Sequence, residues 1–321
     1  MKKLAVFALF SLFAVAPPAF SQSEFPTKVI QVVVGFAAGG STDVVTRVLA
    51  AEVKKLRGWE VIVLNKPGVS GVTGAISVVS APPDGYTLGL ATSNSFTTAP
   101  FFQDVPADLL DRTTALVSTG RVTNALIIKG DSPYRTLKDL IEDARRNPGK
   151  VSIALAGVGT NSSLVVQLLA LDAKVNFTLV PFTGEALSAN ALLGGHVTAA
   201  ALSAPVWGKY VDAKTMRVLA SMYEERYEAA PDVPTLIEQG YPYSAAFTYC
   251  VFGPKGLTPA LAKRLADAFG EASRSPAYLD MAQKTAIDMK KLPVGDALQR
   301  FLVEEYARTG AMVEKLGIKK K

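Results

Sequence analysis

Two short stretches of this sequence combine glycines, hydroxyls and a helix start in the way that anion-binding turns require. The first reads Phe36-Ala37-Ala38-Gly39-Gly40-Ser41-Thr42-Asp43. Its paired glycines let the main chain approach a bound group closely and adopt positive φ. A helix starting at Thr42 would point unpaired N–H groups into that space, and its dipole favours negative charge there. Ser41 or Thr42 can cap this helix, and Asp43 suits its first turn. The second stretch is Gly157-Val158-Gly159-Thr160-Asn161-Ser162-Ser163. It approaches the dinucleotide fingerprint G-x-G-x-x-G, but Ser162 stands where the third glycine belongs. The strand after it ends at Pro181 with no acid to hold a ribose. A carboxylate met by backbone N–H groups and hydroxyls suits this loop better than a nucleotide, and no cofactor is expected. Two further turns are polar where a ligand could reach them, Thr92-Ser93-Asn94-Ser95 and Phe182-Thr183-Gly184-Glu185. Lys66 could neutralise an anion. An ordinary capped helix start would look like either loop, so each is weak alone.

Other chemistries lack their residues. The single histidine, His196, lies between Gly195 and Val197, and there is no H-E-x-x-H, Cys/His cluster or acidic Ca²⁺ loop, so no metal is expected. There is no G-x-S-x-G elbow, and a catalytic triad would rest on His196 alone. Cys250 lies in an apolar run and reads as a buried thiol, not a nucleophile. No basic run interleaved with aromatics suggests nucleic acid. Catalysis is the minority reading.

The elements that must position these loops alternate in type. Residues 29–34 form a near-continuous β-branched run, the pattern of a strand buried on both faces. A helix follows over 42–56, with Val45, Leu49, Val53 and Leu56 on one face. Further strands are expected at 61–64, 86–91, 125–128, 151–156, 175–180, 197–202, 216–220 and 245–252. Helices are expected at 72–79, after Thr136 (whose capping-box partner is Asp139), at 259–273 and at 295–316. Strand and helix in alternation predict α/β architecture, mainly parallel sheets flanked by helices. The unit of strand, Gly-rich loop and helix start recurs at 29–45 and 151–167. Two similar lobes would produce this, each with a loop at the carboxyl end of its sheet.

A chain of 321 residues, 49% hydrophobic and 19% charged, is long enough for two lobes with ample core. The first residues stand apart: Lys2-Lys3, an apolar run over 4–16, Pro17-Pro18, then small residues at Ala19 and Ser21. This reads as a cleaved secretory signal peptide over 1–21, too short to span a bilayer comfortably, with an uncleaved N-terminal anchor the alternative, and the mature chain is expected in the periplasm. Removing Lys2 and Lys3 takes the formal charge from +6 to +4. With one cysteine there is no internal disulfide, although the compartment would permit one.

With these loops in place the chain resembles the Bug-type extracytoplasmic solute receptors of tripartite tricarboxylate transporters. The likeness rests on Phe25-Pro26-Thr27-Lys28, on Gly35-Phe36-Ala37-Ala38-Gly39-Gly40-Ser41-Thr42-Asp43 and on Asn65-Lys66-Pro67-Gly68. It continues through Ala81-Pro82-Pro83-Asp84-Gly85-Tyr86-Thr87-Leu88, Val180-Pro181-Phe182, Leu192-Leu193-Gly194-Gly195, Pro231-Asp232-Val233-Pro234-Thr235 and Gly253-Pro254-Lys255-Gly256. These run in family order over about residues 24–316; the ordered set is specific where no single motif is.

The resemblance implies a two-lobe periplasmic-binding-protein fold with two hinge crossings, near 121 and 226. Lobe 1 would be 22–120 with 226–321, and lobe 2 would be 121–225. It implies a small organic carboxylate, mono- or dicarboxylate and aromatic or not, gripped from opposite sides by the two Gly-rich loops. Carried over, the ligand-binding residues are Phe36, Ala38, Gly39, Gly40, Ser41 and Asp43 in one loop. In the other they are Gly157, Gly159, Thr160, Asn161 and Ser162, with Ser93, Asn94, Phe182, Gly184 and Glu185 lining the remainder. Partners would be membrane permease subunits, with the receptor itself a monomer. A sensing partner of a membrane receptor and a secreted α/β hydrolase are the alternatives. Three departures from the family pattern stand out. Gly35 replaces a usual proline and would loosen the start of the loop; Ser163 replaces a common histidine. Leu202 and Ser203 replace an acid and an asparagine. An apolar Leu202 in the wall argues against a ligand amino group and favours a plain or aromatic carboxylate.

Overall fold

The computed structural model describes residues 25–227 and 230–318. The expected signal peptide over 1–21 lies outside the described residues. The first sheet begins with β1 (Ile30–Val34), α1 (Ser41–Arg57), β2 (Val61–Asn65), α2 (Val72–Val79) and β3 (Thr87–Thr92). Two short helices, α3 (Asn94–Thr97) and α4 (Ala99–Phe102), lead to β4 (Thr113–Val122). The second sheet holds β5 (Asn124–Lys129), α5 (Leu137–Arg146), β6 (Ser152–Leu155), α6 (Asn161–Ala173) and β7 (Thr178–Pro181). It is completed by α7 (Glu185–Leu193), β8 (Ala199–Ser203), α8 (Ala204–Asp212) and β9 (Met216–Met222). The chain closes with β10 (Phe247–Pro254), α9 (Pro259–Ala272), α10 (Pro276–Lys284) and α11 (Asp296–Lys315).

The strand order is β2-β1-β3-β10-β4 in one sheet and β7-β6-β8-β5-β9 in the other, the same design twice. β1 pairs in parallel with β2 and β3, as β6 does with β7 and β8. β10 and β5 run against both of their neighbours. Each reversed strand is the one that arrives from the other half. β4 ends at Val122 and β5 starts at Asn124; β9 ends at Met222 and the chain returns as β10. All remaining strands share one direction, so the sheets are mainly parallel by direction but mixed in their pairing.

Local sequence explains the elements. Val32, Val33 and Val34 of β1 are buried, as a β-branched run covered on both faces should be. α1 buries Val45, Leu49 and Val53 and ends at Gly58, whose left-handed φ of 69° lets its N–H reach the Lys54 carbonyl. Thr136 and Asp139 cap α5 reciprocally. β4 was not foreseen: Thr113, Thr114, Ser118, Thr119, Gly120 and Arg121 break any apolar run, yet most of the strand is buried beside β10.

Two cores lie apart. Leu49, Leu88, Tyr249 and Phe269 belong to the first; Leu126, Ile153, Leu164 and Leu219 belong to the second. α11 joins them. Leu298 and Leu302 pack with Ala115 and Cys250, whereas Val313, near its end, enters the second core. Leu236, Tyr243 and Ala245, which precede β10, also pack in the second core. Among the described residues no helix is long and apolar enough to cross a membrane.

Candidate functional site

The loops after β1 and β3, and those after β6 and β8, leave the carboxyl ends of their sheets where the strand order reverses, which is where open α/β sheets bind ligands. Gly35 ends β1 against backbone: a Cβ there would lie 2.3 Å from the Gly71 carbonyl oxygen. The expected loosening is therefore corrected, since glycine is what lets Gly71 and Gly74 pack on this turn. Gly39, at φ +79°, donates its N–H to Asp43 Oδ2 at 2.9 Å. Arg47 Nε donates to the same oxygen at 2.9 Å, and Asn65 Nδ2 donates to Oδ1 at 2.9 Å. Burial would raise the Asp43 pKa, but the bonds from Arg47, Gly39 and Asn65 outweigh it and hold the carboxyl below its ordinary range. Asp43 was expected on the ligand; its oxygens are occupied by the loop, so it is the clamp that shapes the turn.

The cap expectation is also corrected. Gly40 is the N-cap of α1 and no side chain caps it, so neither Ser41 nor Thr42 does. The first intrahelical bond is Val44 N–H to the Gly40 carbonyl, at 3.0 Å. The amides of Ser41, Thr42 and Asp43 are thus the helix's unpaired donors. Ala38 and Gly39 are exposed at the crest of the loop, while Phe36 turns back over Gly71. Behind α1 lies a residue the sequence hid, Tyr249 of β10. Its fully buried hydroxyl has no partner at hydrogen-bond distance among the described residues, although the Ser41 and Thr42 side chains are close enough to lower its pKa somewhat. Burial chiefly, with the charge of Glu185 adding, pushes its pKa up. Thr92 Oγ1 and Asn94 Oδ1 are likewise buried and unpaired among the described residues. Ser93 is not available in the same way: its Oγ accepts from Thr248 N at 3.1 Å, tying α3 to β10.

In the opposite wall Gly157 and Gly159 adopt φ of 120° and 86°. A side chain on Gly159 would meet Gln103, Phe102 and Ala99 of the first half at 3.0–3.4 Å. Thr160 caps α6, its Oγ1 accepting from Ser163 N at 3.2 Å. The Asn161 side chain, expected on the ligand, is occupied between the halves: Thr98 donates to its Oδ1, and its Nδ2 donates to the Ala246 carbonyl at 2.8 Å. The amides of Asn161 and Ser162 stay unpaired within α6, because its first bond is Leu164 N–H to Thr160 O. Ser163 is buried and its amide serves the Thr160 cap. Phe182 and Gly184 carry the chain past Gly157 into α7, whose first residue is Glu185. Glu185 is half-buried; its carboxylate accepts from Ser203 N at 2.9 Å and Ser203 Oγ at 2.5 Å, and burial raises its pKa. Leu202 points the other way, fully buried with Trp207, so it is no part of the wall. The inference of a plain or aromatic carboxylate drawn from it is withdrawn.

The halves touch across the cleft. Gln103 Nε2 donates to Ser70 Oγ at 2.7 Å and to the Val158 carbonyl at 2.6 Å, and Ser70 Oγ donates to the same carbonyl at 3.1 Å. Val69 and Ser70 hold φ of 48° and 52°, a strained turn that sets Ser70 toward Val158. Gly71 packs on Phe36 of the first glycine loop, and Ser70 beside it lies against Gly157 and Val158 of the second, so this turn links the two loops. Among the described residues the only cation bonded to a wall residue is Arg47, on Asp43; Lys66 is exposed and makes no side-chain bond. No group of His, Cys, Asp and Glu could hold a metal ion among the described residues.

A family model described as tripartite tricarboxylate transporter family receptor matches residues 45–318. The UPF0065 protein encoded in the gbd 5′ region of Cupriavidus necator is 34% identical over 307 residues, 95% of this chain and 93% of that one. The solved periplasmic binding protein BugD is similar with a TM-score of 0.85 at 26% identity, covering 92% of this chain and 100% of its own. An R. palustris protein solved with adipate gives 0.85 at 26% identity, covering 92% and 99%. The chain belongs to the Bug-type receptors of the tripartite tricarboxylate transporter family, and it is a solute-binding protein, not an enzyme.

Proposed function

We propose that this protein captures a small organic carboxylate in the periplasm, between two lobes, and delivers it to the membrane permease of a tripartite tricarboxylate-type transporter. One observation carries the reading. α1 and α6 both start with unpaired N-terminal amides, after matching Gly-rich loops of two like-ordered sheets, and Val158 of the second loop meets Ser70 and Gln103 of the first half. A carboxylate is the ligand that such ends hold without a cation, through N–H bonds and helix dipoles. The relative solved with adipate supports the class. The buried, unpaired hydroxyls of Tyr249 and Thr92 are suited to bond the ligand or its water.

The proposed mechanism is hinge closure. A ligand touching both walls would favour the closed form, and the bonds from Gln103 and Ser70 to the Val158 carbonyl, which join the halves, would add to it. Our division of the chain takes lobe 1 as 22–120 with 246–321 and lobe 2 as 121–245, in place of the boundary expected at 226. It draws the return crossing nearer 246, because Leu236, Tyr243 and Ala245 pack in the second core. The signal peptide would be removed on export and the mature receptor would act as a monomer.

Thermal unfolding of the chain lacking residues 1–21, against a panel of carboxylates, tests the reading. A true ligand at 100 times its Kd should add about 2.7 kcal/mol. A panel in which no carboxylate raises the melting temperature, beside an amine or sugar that does, would overturn it.

A further inference from the structure

Among the described residues Glu185, at the start of α7 beside the second glycine loop, has no cation to answer it. Its two oxygens accept from a single neutral neighbour, Ser203, through the main-chain N–H at 2.9 Å and the hydroxyl at 2.5 Å. No Lys, Arg or His lies within ion-pair distance among the described residues, and beyond Ser203 only the head of its own helix eases the charge. Each oxygen keeps a lone pair, and the buried Tyr249 hydroxyl of the first half, without a hydrogen-bond partner among the described residues, feels the Glu185 charge. A half-buried carboxylate left in this state calls for a donor from whatever fills the space.

We infer that Glu185 reads the second functional group of the ligand, so that the solute is a carboxylate carrying a hydroxyl or ammonium donor rather than a plain mono- or dicarboxylate. This rests on the carboxylate reading above. The solute's carboxylate meets the amides of α1 and α6. Its donor then meets Glu185, with the Tyr249 hydroxyl free to accept from the same group or donate to it. A second carboxylate at that place would face a like charge in a site with little water, and an alkyl end would leave Glu185 dry and unpaired.

Calorimetric titration of wild type and Glu185→Gln with four ligands of one chain length, for each of several lengths, tests the idea. The four are the alkanoate, the ω-hydroxy acid, the ω-amino acid and the dicarboxylate; 2-hydroxy and 2-amino acids form a second series. At the best length the hydroxy or amino acid should bind wild type about tenfold or more tightly than the alkanoate or dicarboxylate. Glu185→Gln should erase that preference and raise dicarboxylate affinity. Circular dichroism and apo melting report whether the variant is folded, and Glu185→Asp, which keeps the charge, should retain part of the preference. Wild type that binds alkanoate or dicarboxylate as tightly as the donor-bearing acids, with Glu185→Gln unchanged, overturns this inference alone. Absence of binding by every carboxylate overturns the receptor reading with it.

Discussion

Asp43 and Glu185 are both acids in the first turn of a helix that begins at the cleft, one in each half of the molecule, and their surroundings are opposite. Asp43, with a side chain only 3% exposed, is bonded by a loop amide, an asparagine and an arginine. Glu185 has one serine. The first acid is part of the scaffold, because every lone pair that could meet a solute already holds the turn in shape. The second keeps acceptor capacity at the edge of the cleft. An acid near a helix N-terminus is therefore no sign of ligand contact by itself; the donors around it decide.

The comparison breaks most sharply at Asp43. In Asp43→Ala the Gly39 amide and the Asn65 side chain lose their acceptor and Arg47 loses its ion pair. The expected cost is about 2–4 kcal/mol of unfolding free energy, with carboxylate binding lost as the 36–40 turn relaxes. Urea titration and calorimetry check this. A stable variant that still binds would show that the turn holds its shape without the clamp.

A smaller effect sharpens the account of how the walls meet. Gln103→Ala removes one bond that crosses between the halves, to the Val158 carbonyl, and one within the first half, to Ser70 Oγ. Apo melting should hardly move, because neither bond ties a core. Ligand affinity should fall about five- to tenfold, since binding then draws on a less populated closed form. Unchanged affinity beside a lowered melting temperature would make Gln103 a structural residue.

What could be read beforehand follows the range of the physics. The β-branched run of β1, the two glycine turns and the Thr136–Asp139 capping box depend on neighbours a few residues away, and their chemistry is visible in the chain. The residues that decide the site depend on distant pairings. Tyr249 sits in the run Phe247–Pro254 and reads as one more core aromatic. It comes beside the start of α1 only when β10 inserts in reverse between β3 and β4. Val158 meets Ser70 and Gln103 from 88 and 55 residues away. Asn161 and Asp43 were assigned to the ligand because their types fit; their partners Thr98, Ala246, Asn65 and Arg47 had no sequence signature that named them. Leu202 and Ser203 show the same limit: which of two adjacent strand residues faces the cleft is set by a pleat that one register step reverses.

The smallest expected effect separates the two acids by sign. Burial raises the Glu185 pKa, so the folded chain binds that proton more tightly than the unfolded chain does. Its ionised form therefore costs stability once pH rises past the unfolded value, and the cost is complete above the folded one. Glu185→Gln should match wild type in acid and melt above it at neutral pH, by about 1 kcal/mol or less for a half-buried group that retains two donors. The Asp43 pKa is lowered, so its contribution runs the other way. Asp43→Asn should be the weaker protein at neutral pH and approach wild type as pH falls through the folded Asp43 value. Melting of both variants and wild type from pH 3 to pH 8 (ligand removed beforehand) gives two difference curves. Divergence in opposite directions as pH rises fits one acid that holds the fold and one that waits for a donor. If Glu185→Gln also loses stability toward neutral pH, the Ser203 bonds are holding α7 to β8, and Glu185 is a second clamp like Asp43.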